Sequence, residues 1–228
     1  MNPFDVSVLF FLNQFAQRSP RFDECVAFLS DSNLLKGGVI VGTIWWVWFG
    51  NEDVRRKRTV LLATLIASVP ALIIAKILTA VTYRTRPLNE AQLALHVPHT
   101  VTATDWKQFS SFPSDHAVLF FAMAFGILIA SRRAGWFALF YVSTFICLPR
   151  MYLGEHYATD ILAGAAIGVI PVCLANLPRI REPLTGWTLR WLDASPSSFY
   201  FLAFLVLYLV VELFDPLIEM GKFIHRLT

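Results

Sequence analysis

Residues 60–81 read VLLATLIASVPALIIAKILTAV, 22 positions in which Lys76 is the one charged side chain. An α-helix of that length spans a hydrocarbon core of about 30 Å. The sequence RRKR (residues 55–58) stands just before it and YRTRP (residues 83–87) just after it, so charge brackets the run on both sides. Working outward, five more apolar runs occupy residues 34–49, 114–131, 134–148, 156–177 and 199–214. No water satisfies the backbone inside a bilayer, so each run is expected to be helical. The expected fold is therefore all-α: a polytopic membrane helix bundle with six transmembrane helices. Residues 4–16 carry apolar side chains at Val8, Phe11, Leu12 and Phe15 with Asn13 and Gln14 among them. That pattern predicts an N-terminal helix lying in the membrane interface.

Composition supports the same reading. The 228 residues are 56% hydrophobic, 14% aromatic and only 15% charged, with a mean hydropathy of +0.57. Soluble domains average about 45–50% apolar and about 25% charged, which excludes an ordinary soluble globule. The aromatic content and low charge also exclude a disordered chain. A net charge of +3 provides no concentrated basic face, so no nucleic-acid partner is expected. Cys25, Cys147 and Cys173 are far apart and imply neither a disulfide framework nor a zinc ribbon. His96 and His99 flank Pro98 and make a poor metal pair. The first residues carry Asp5 and no basic stretch, so no cleavable leader is expected. The whole of residues 1–228 reads as one membrane-embedded domain.

Lys and Arg near span ends are retained on the cytoplasmic side. Arg55, Arg56, Lys57 and Arg58 follow the first run, Arg132 and Arg133 the third, and Arg179, Arg181 and Arg190 the fifth. These alternate links are expected inside. Residues 83–113 and 149–155 then face outward, although they too carry Arg84, Arg86, Lys107 and Arg150. If those arginines belong to a binding site, the remaining bias strengthens. Trp106, Phe109 and Phe112 in the long outer loop suit the headgroup boundary. Gly164 and Gly168 in the fifth run read as close helix packing.

Antiparallel spans bring three outer stretches to one membrane face: KILTAVTYRTRP (residues 76–87), PSDH (residues 113–116) and RMYLGEHYATD (residues 150–160). His156 and Asp160 are four apart at a helix start, one turn along the same face. A carboxylate there can hold the proton-bearing ring nitrogen and leave the other as a nucleophile. Arg150 has the planar fork that suits a phosphate. Gly154, between Arg150 and His156, permits a sharp turn. Ser114 is placed to cap a helix whose first amides would face an anion, and His116 in its first turn could act as a general acid. Asp115 would favour the protonated form of His116. Lys76 either faces a polar site or snorkels to the boundary. Two histidines, a carboxylate and four cations at one face are enough to neutralise a phosphate and displace at it.

These three stretches resemble the signature of the type 2 phosphatidic acid phosphatase superfamily, K-x6-R-P, P-S-G-H and S-R-x5-H-x3-D. Arg150, His156 and Asp160 match the third part, with Pro149 in place of serine. Pro113, Ser114 and His116 match the second, with Asp115 in place of glycine. In the first, Tyr83 stands where arginine would fall after Lys76, and Arg86-Pro87 comes three residues late. The resemblance implies that His156 attacks phosphorus, Asp160 orients it and His116 protonates the leaving oxygen. Arg150, Arg86, Lys76, Ser114 and, as a stand-in, Arg84 would hold the phosphate, with no metal and no other cofactor. It implies a multi-pass lipid phosphatase of the plasma membrane with its site facing the periplasm or exterior. Undecaprenyl diphosphate is the first expected substrate. Phosphatidate or phosphatidylglycerol phosphate hydrolysis, and phosphoryl transfer to another lipid from the same histidine, are the alternatives.

Overall fold

The computed structural model describes residues 2–101 and 110–213, and every regular element among them is helical. Asn2 caps α1 (Pro3–Asn13) and Ser19 caps α2 (Pro20–Asp31), each followed by a proline whose missing N–H costs nothing in a first turn. A π-helical turn, Leu34–Gly38, leads into α3 (Val39–Trp48). Next come α4 (Val54–Val81) and α5 (Asp115–Ala130). The helix α6 (Arg132–Tyr141) continues through a π-helical stretch, Val142–Cys147, into α7 (Leu148–Tyr152). The described chain ends with α8 (Ala158–Ala175), α9 (Pro178–Ala194) and α10 (Pro196–Val211).

The predicted apolar runs all become helices, but not six equal spans. Three helices, Val54–Val81, Arg132–Tyr152 and Ala158–Ala175, are long and apolar enough to cross a membrane, and the bent pair Pro20–Asp31 with Leu34–Trp48 would make a fourth. Asp115–Ala130 and Pro196–Val211 are shorter apolar helices. The run at residues 34–49 is therefore not a span by itself but the second limb of an element bent by 62°. Ser32 and Asn33, ahead of the π-helical turn, mark the break. Neither α2 nor α9 was expected, because both are too polar to register as apolar runs. The N-terminal helix is present; its buried Asp5, Leu9 and Asn13 form one stripe, while Phe4, Phe10 and Phe11 point outward.

The centre of the bundle is α5, apolar on every side and buried along most of its length. That is the pattern of a helix surrounded by other helices. It packs on α4, α6 and α8. Close approach is secured by glycine: an added Cβ would come within 2.2 Å of Thr64 at Gly126, 2.6 Å of the Ser114 carbonyl at Gly164 and 2.0 Å of the Val118 carbonyl at Gly168. Small residues at such crossings let two backbones meet in contact. Outside this core, Ile73, Ile77, Trp136, Phe140, Leu162, Ile170, Phe201 and Phe204 are exposed, a greasy belt whose natural solvent is lipid. The last described helix, α10, closes on α3 through Phe199, stacked on Trp48 with centroids 5.8 Å apart, and through the Trp48 indole N–H, which donates to the Tyr200 hydroxyl at 3.1 Å.

Candidate active site

The C-terminus of α4, the N-termini of α5 and α8, and the end of α7 meet at one end of the bundle. At the opposite end Arg56 donates to the Ile129 carbonyl at 3.0 Å, and the turn into Arg132 lies beside it. Basic links and the three-part constellation thus occupy opposite ends. After Val81 the chain leaves the helix and runs extended from Thr82 to Arg86, where Ser111 N–H donates to the Arg84 carbonyl at 2.9 Å. The three extra residues of the first stretch are taken up by this extended link and not by a longer helix.

His156 lies in the turn between α7 and α8 and is 2% exposed. Gly154 makes the turn with φ of 73°; a side chain there would press on Leu88 at 3.1 Å. The Nδ1–H of His156 donates to the Ser111 carbonyl at 2.7 Å, which leaves Nε2 with a free lone pair. This corrects the expected partner. Asp160 stands 3.9 Å from Nδ1, beyond hydrogen-bond range. Its carboxylate instead accepts from the Tyr157 amide at 2.8 Å and from Arg84 at 2.6 Å. Asp160 therefore pins the start of α8, next to the histidine, and the ring is held by a backbone carbonyl.

Arg84 also departs from expectation. Its guanidinium donates to Thr159 at 2.8 Å, Asp160 at 2.6 Å and Asp5 at 2.7 Å, and it lies over the Tyr157 ring at 3.9 Å. With both terminal nitrogens engaged by carboxylates, Arg84 braces α1 against α8. Asp5 belongs to none of the three stretches; an acidic residue in the first turn of an otherwise apolar helix was the available signal.

Arg150 and His116 do come together. Arg150 NH2 donates to His116 Nε2 at 3.2 Å, and His116 Nδ1–H donates to Asp115 at 3.0 Å. The other oxygen of Asp115 pairs with Lys76 at 3.0 Å, so Asp115 faces Lys76 and the histidine. Ser114 is fully buried and caps α5 by accepting from Ala117 N–H at 3.4 Å. Glu155, adjacent to His156 and not anticipated, accepts from Arg150 NH1 at 2.5 Å and lies 3.8 Å from Arg86, while Ser30 of α2 donates to its other oxygen at 3.3 Å. It gathers the two arginines into one pocket. Among the described residues, no group of three or more His, Cys, Asp or Glu is placed to hold a metal ion. Trp106, Lys107 and Phe109 lie outside the described residues.

Burial pulls His156 down to about 3, with Arg150 and Arg86 adding to the effect. The imidazole is thus neutral across the physiological range, as a nucleophile requires. Burial pushes Glu155 up, but Arg150, then His156 and Arg86, outweigh it and hold the carboxyl below its ordinary value. The histidine has a consequence for stability. Between pH 6.5 and about 3 the unfolded chain takes up a proton that the folded site refuses, so stability falls as pH drops through that window. At pH 5 the loss from this group is about 2 kcal/mol. Thermal unfolding in detergent is expected to show a flatter pH dependence for His156→Gln than for the unaltered protein. Parallel curves would mean that the group titrates normally.

A family model described as PAP2 superfamily matches residues 57–177. The chain is 28% identical over 163 residues to the "Bacitracin transport permease protein BcrC" of Bacillus licheniformis, covering 70% of this chain and 73% of that one. It is 26% identical over 148 residues to the "Undecaprenyl-diphosphatase BcrC" of Bacillus subtilis (strain 168), covering 65% and 70%. It is 25% identical over 208 residues to the "Lipid A 1-diphosphate synthase" of Escherichia coli (strain K12), covering 85% and 82%. No solved structure matches the chain. The family match covers more than half of the sequence and encloses all three stretches whose histidines and arginines meet at one end of the bundle, and the protein belongs to the PAP2 superfamily.

Proposed function

We propose that this protein is a multi-pass membrane lipid phosphatase that cleaves a lipid diphosphate, undecaprenyl diphosphate first, through a phosphohistidine on His156. The observation that carries the reading is the His156 tautomer. Its Nδ1 proton is committed to the Ser111 carbonyl, and the free Nε2 belongs to a neutral, buried ring in a pocket that also holds Arg150 and Arg86. Nε2 attacks the terminal phosphorus as the P–O bond to the leaving group breaks, and His116 gives that oxygen a proton. Water then attacks phosphorus, His116 takes a proton from it, and inorganic phosphate leaves with His156 restored. Arg150 and Arg86 hold the equatorial oxygens, with Lys76, Ser114 and the first amides of α5 at the rim. Arg150 donates to His116 Nε2; a singly protonated terminal phosphate that takes over that donor delivers its own P–OH proton to the freed Nε2, and this is the proton His116 passes to the leaving oxygen.

The segregation of Arg56 and Arg132 from the site supports a site facing the periplasm or exterior of the plasma membrane, with α5 and α10 completing six spans. The undecaprenyl reading draws on the named substrate of the Bacillus subtilis relative. Phosphoryl transfer to a second lipid is the other reading, because the Escherichia coli relative is named a diphosphate synthase. Purified protein in detergent should release free phosphate from undecaprenyl diphosphate faster than from phosphatidate or phosphatidylglycerol phosphate. A chelator should leave that rate unchanged. Phosphate appearing only on an added acceptor lipid would establish transfer instead, and a rate abolished by chelation and restored by a divalent ion would refute the metal-free route.

A further inference from the structure

Lys36 is a charged residue that none of the three stretches contains. It sits on the π-helical turn Leu34–Gly38, between α2 and α3, and is 9% exposed. The turn packs on the second π-helical stretch, Val142–Cys147, and the Tyr141 hydroxyl donates to the Leu35 carbonyl at 2.7 Å. Lys36 is thereby enclosed beside the segment that ends at Arg150. A lysine facing lipid would lift its ammonium to the boundary; this one is turned inward, within electrostatic range of Arg150, Glu155 and His116.

Its charge is not locally balanced. Asp31, Glu155 and Glu212 are the carboxylates around it, and among the described residues it forms no ion pair with any of them. Glu212 accepts from Asn33 at 2.8 Å, and Glu155 already serves Arg150, Arg86 and Ser30. A second donor within electrostatic range of it also lacks a partner: the buried Nε of Arg150 makes no hydrogen bond. An ammonium buried next to a guanidinium is costly unless an anion joins them. Two buried cationic donors without partners, close enough to feel each other's charge, therefore point to an anion larger than Glu155 alone provides.

We propose that Lys36 is a substrate-binding residue that pairs with the second phosphoryl group of a lipid diphosphate and so sets a preference for diphosphate over monophosphate headgroups. This rests on the reading of the site as a lipid phosphatase. A diphosphate carries more negative charge over a longer headgroup than a monophosphate. Arg150 and Arg86 meet the terminal phosphoryl group, which passes to His156. Lys36 neutralises the lipid monophosphate that departs when the bridging P–O bond breaks.

The test compares inorganic pyrophosphate with inorganic phosphate as ligands of the purified full-length protein, read as protection against thermal unfolding. The unaltered protein should bind pyrophosphate more tightly. Lys36→Met should cut the pyrophosphate-to-phosphate affinity ratio by about tenfold to a hundredfold, the range for one buried charge-assisted contact. Lys36→Arg should keep the ratio within a few-fold. A ratio unchanged in Lys36→Met, or equal affinities in the unaltered protein, overturns the proposal, and the second criterion stands even if Lys36→Met does not fold. A ratio lost in Lys36→Met while no lipid releases phosphate would instead refute the phosphatase reading and leave the anion site intact.

Discussion

Replacing His156 with glutamine is expected to lower the rate of phosphate release by roughly 10⁴-fold or more, the scale on which loss of a covalent nucleophile acts. The amide of glutamine can still donate to the Ser111 carbonyl, as Nδ1–H does at 2.7 Å, but it has no nucleophilic lone pair to offer phosphorus. Because the native ring is neutral, the change leaves no uncompensated buried charge, so lost turnover would not merely report lost folding. Two measurements check it: phosphate release from the lipid substrate, and an acid-labile phosphoenzyme trapped during turnover in the unaltered protein alone. A His156→Gln protein that keeps its rate within tenfold would place the nucleophile elsewhere.

Arg150→Lys is expected to cost on the order of 10²- to 10³-fold in kcat/KM, the scale for removing a fixed donor from a developing oxyanion. The guanidinium connects Glu155 at 2.5 Å to His116 at 3.2 Å, and only a planar fork reaches both while presenting a further N–H to the pocket. Lysine keeps the charge beside buried Glu155, so the loss measures geometry and not a stranded carboxylate. Arg150→Ala would confound the two, since unpairing a buried ion costs several kcal/mol. Equal kcat/KM in Arg150→Lys would show that charge alone serves the site; an unfolding midpoint close to the unaltered value is the control.

The site was legible in the sequence to the extent that it is made of spacing. Pro113, Ser114, His116, Arg150, His156 and Asp160 could be picked out because each stands at a helix end beside residues that only chemistry explains. The pairings among them were not legible. Asp160 reads as the histidine's partner from its i, i+4 position, yet Arg84 and the Tyr157 amide claim it. The resemblance makes Arg84 a stand-in phosphate ligand, yet Asp5, 79 positions away in sequence, takes one of its nitrogens. Glu155 and Lys36 carried no pattern at all. Their burial near Arg150 comes from helix packing, which no local window records.

Hydropathy alone marks this chain as a bundle of apolar helices suited to a membrane, because desolvation acts on each segment independently. Packing sets the bend of 62° between α2 and α3, the carbonyl that holds the His156 ring, and which carboxylate each arginine meets. Those depend on the competition of several donors for each carboxylate, and that competition exists only once helices distant in sequence have packed end to end.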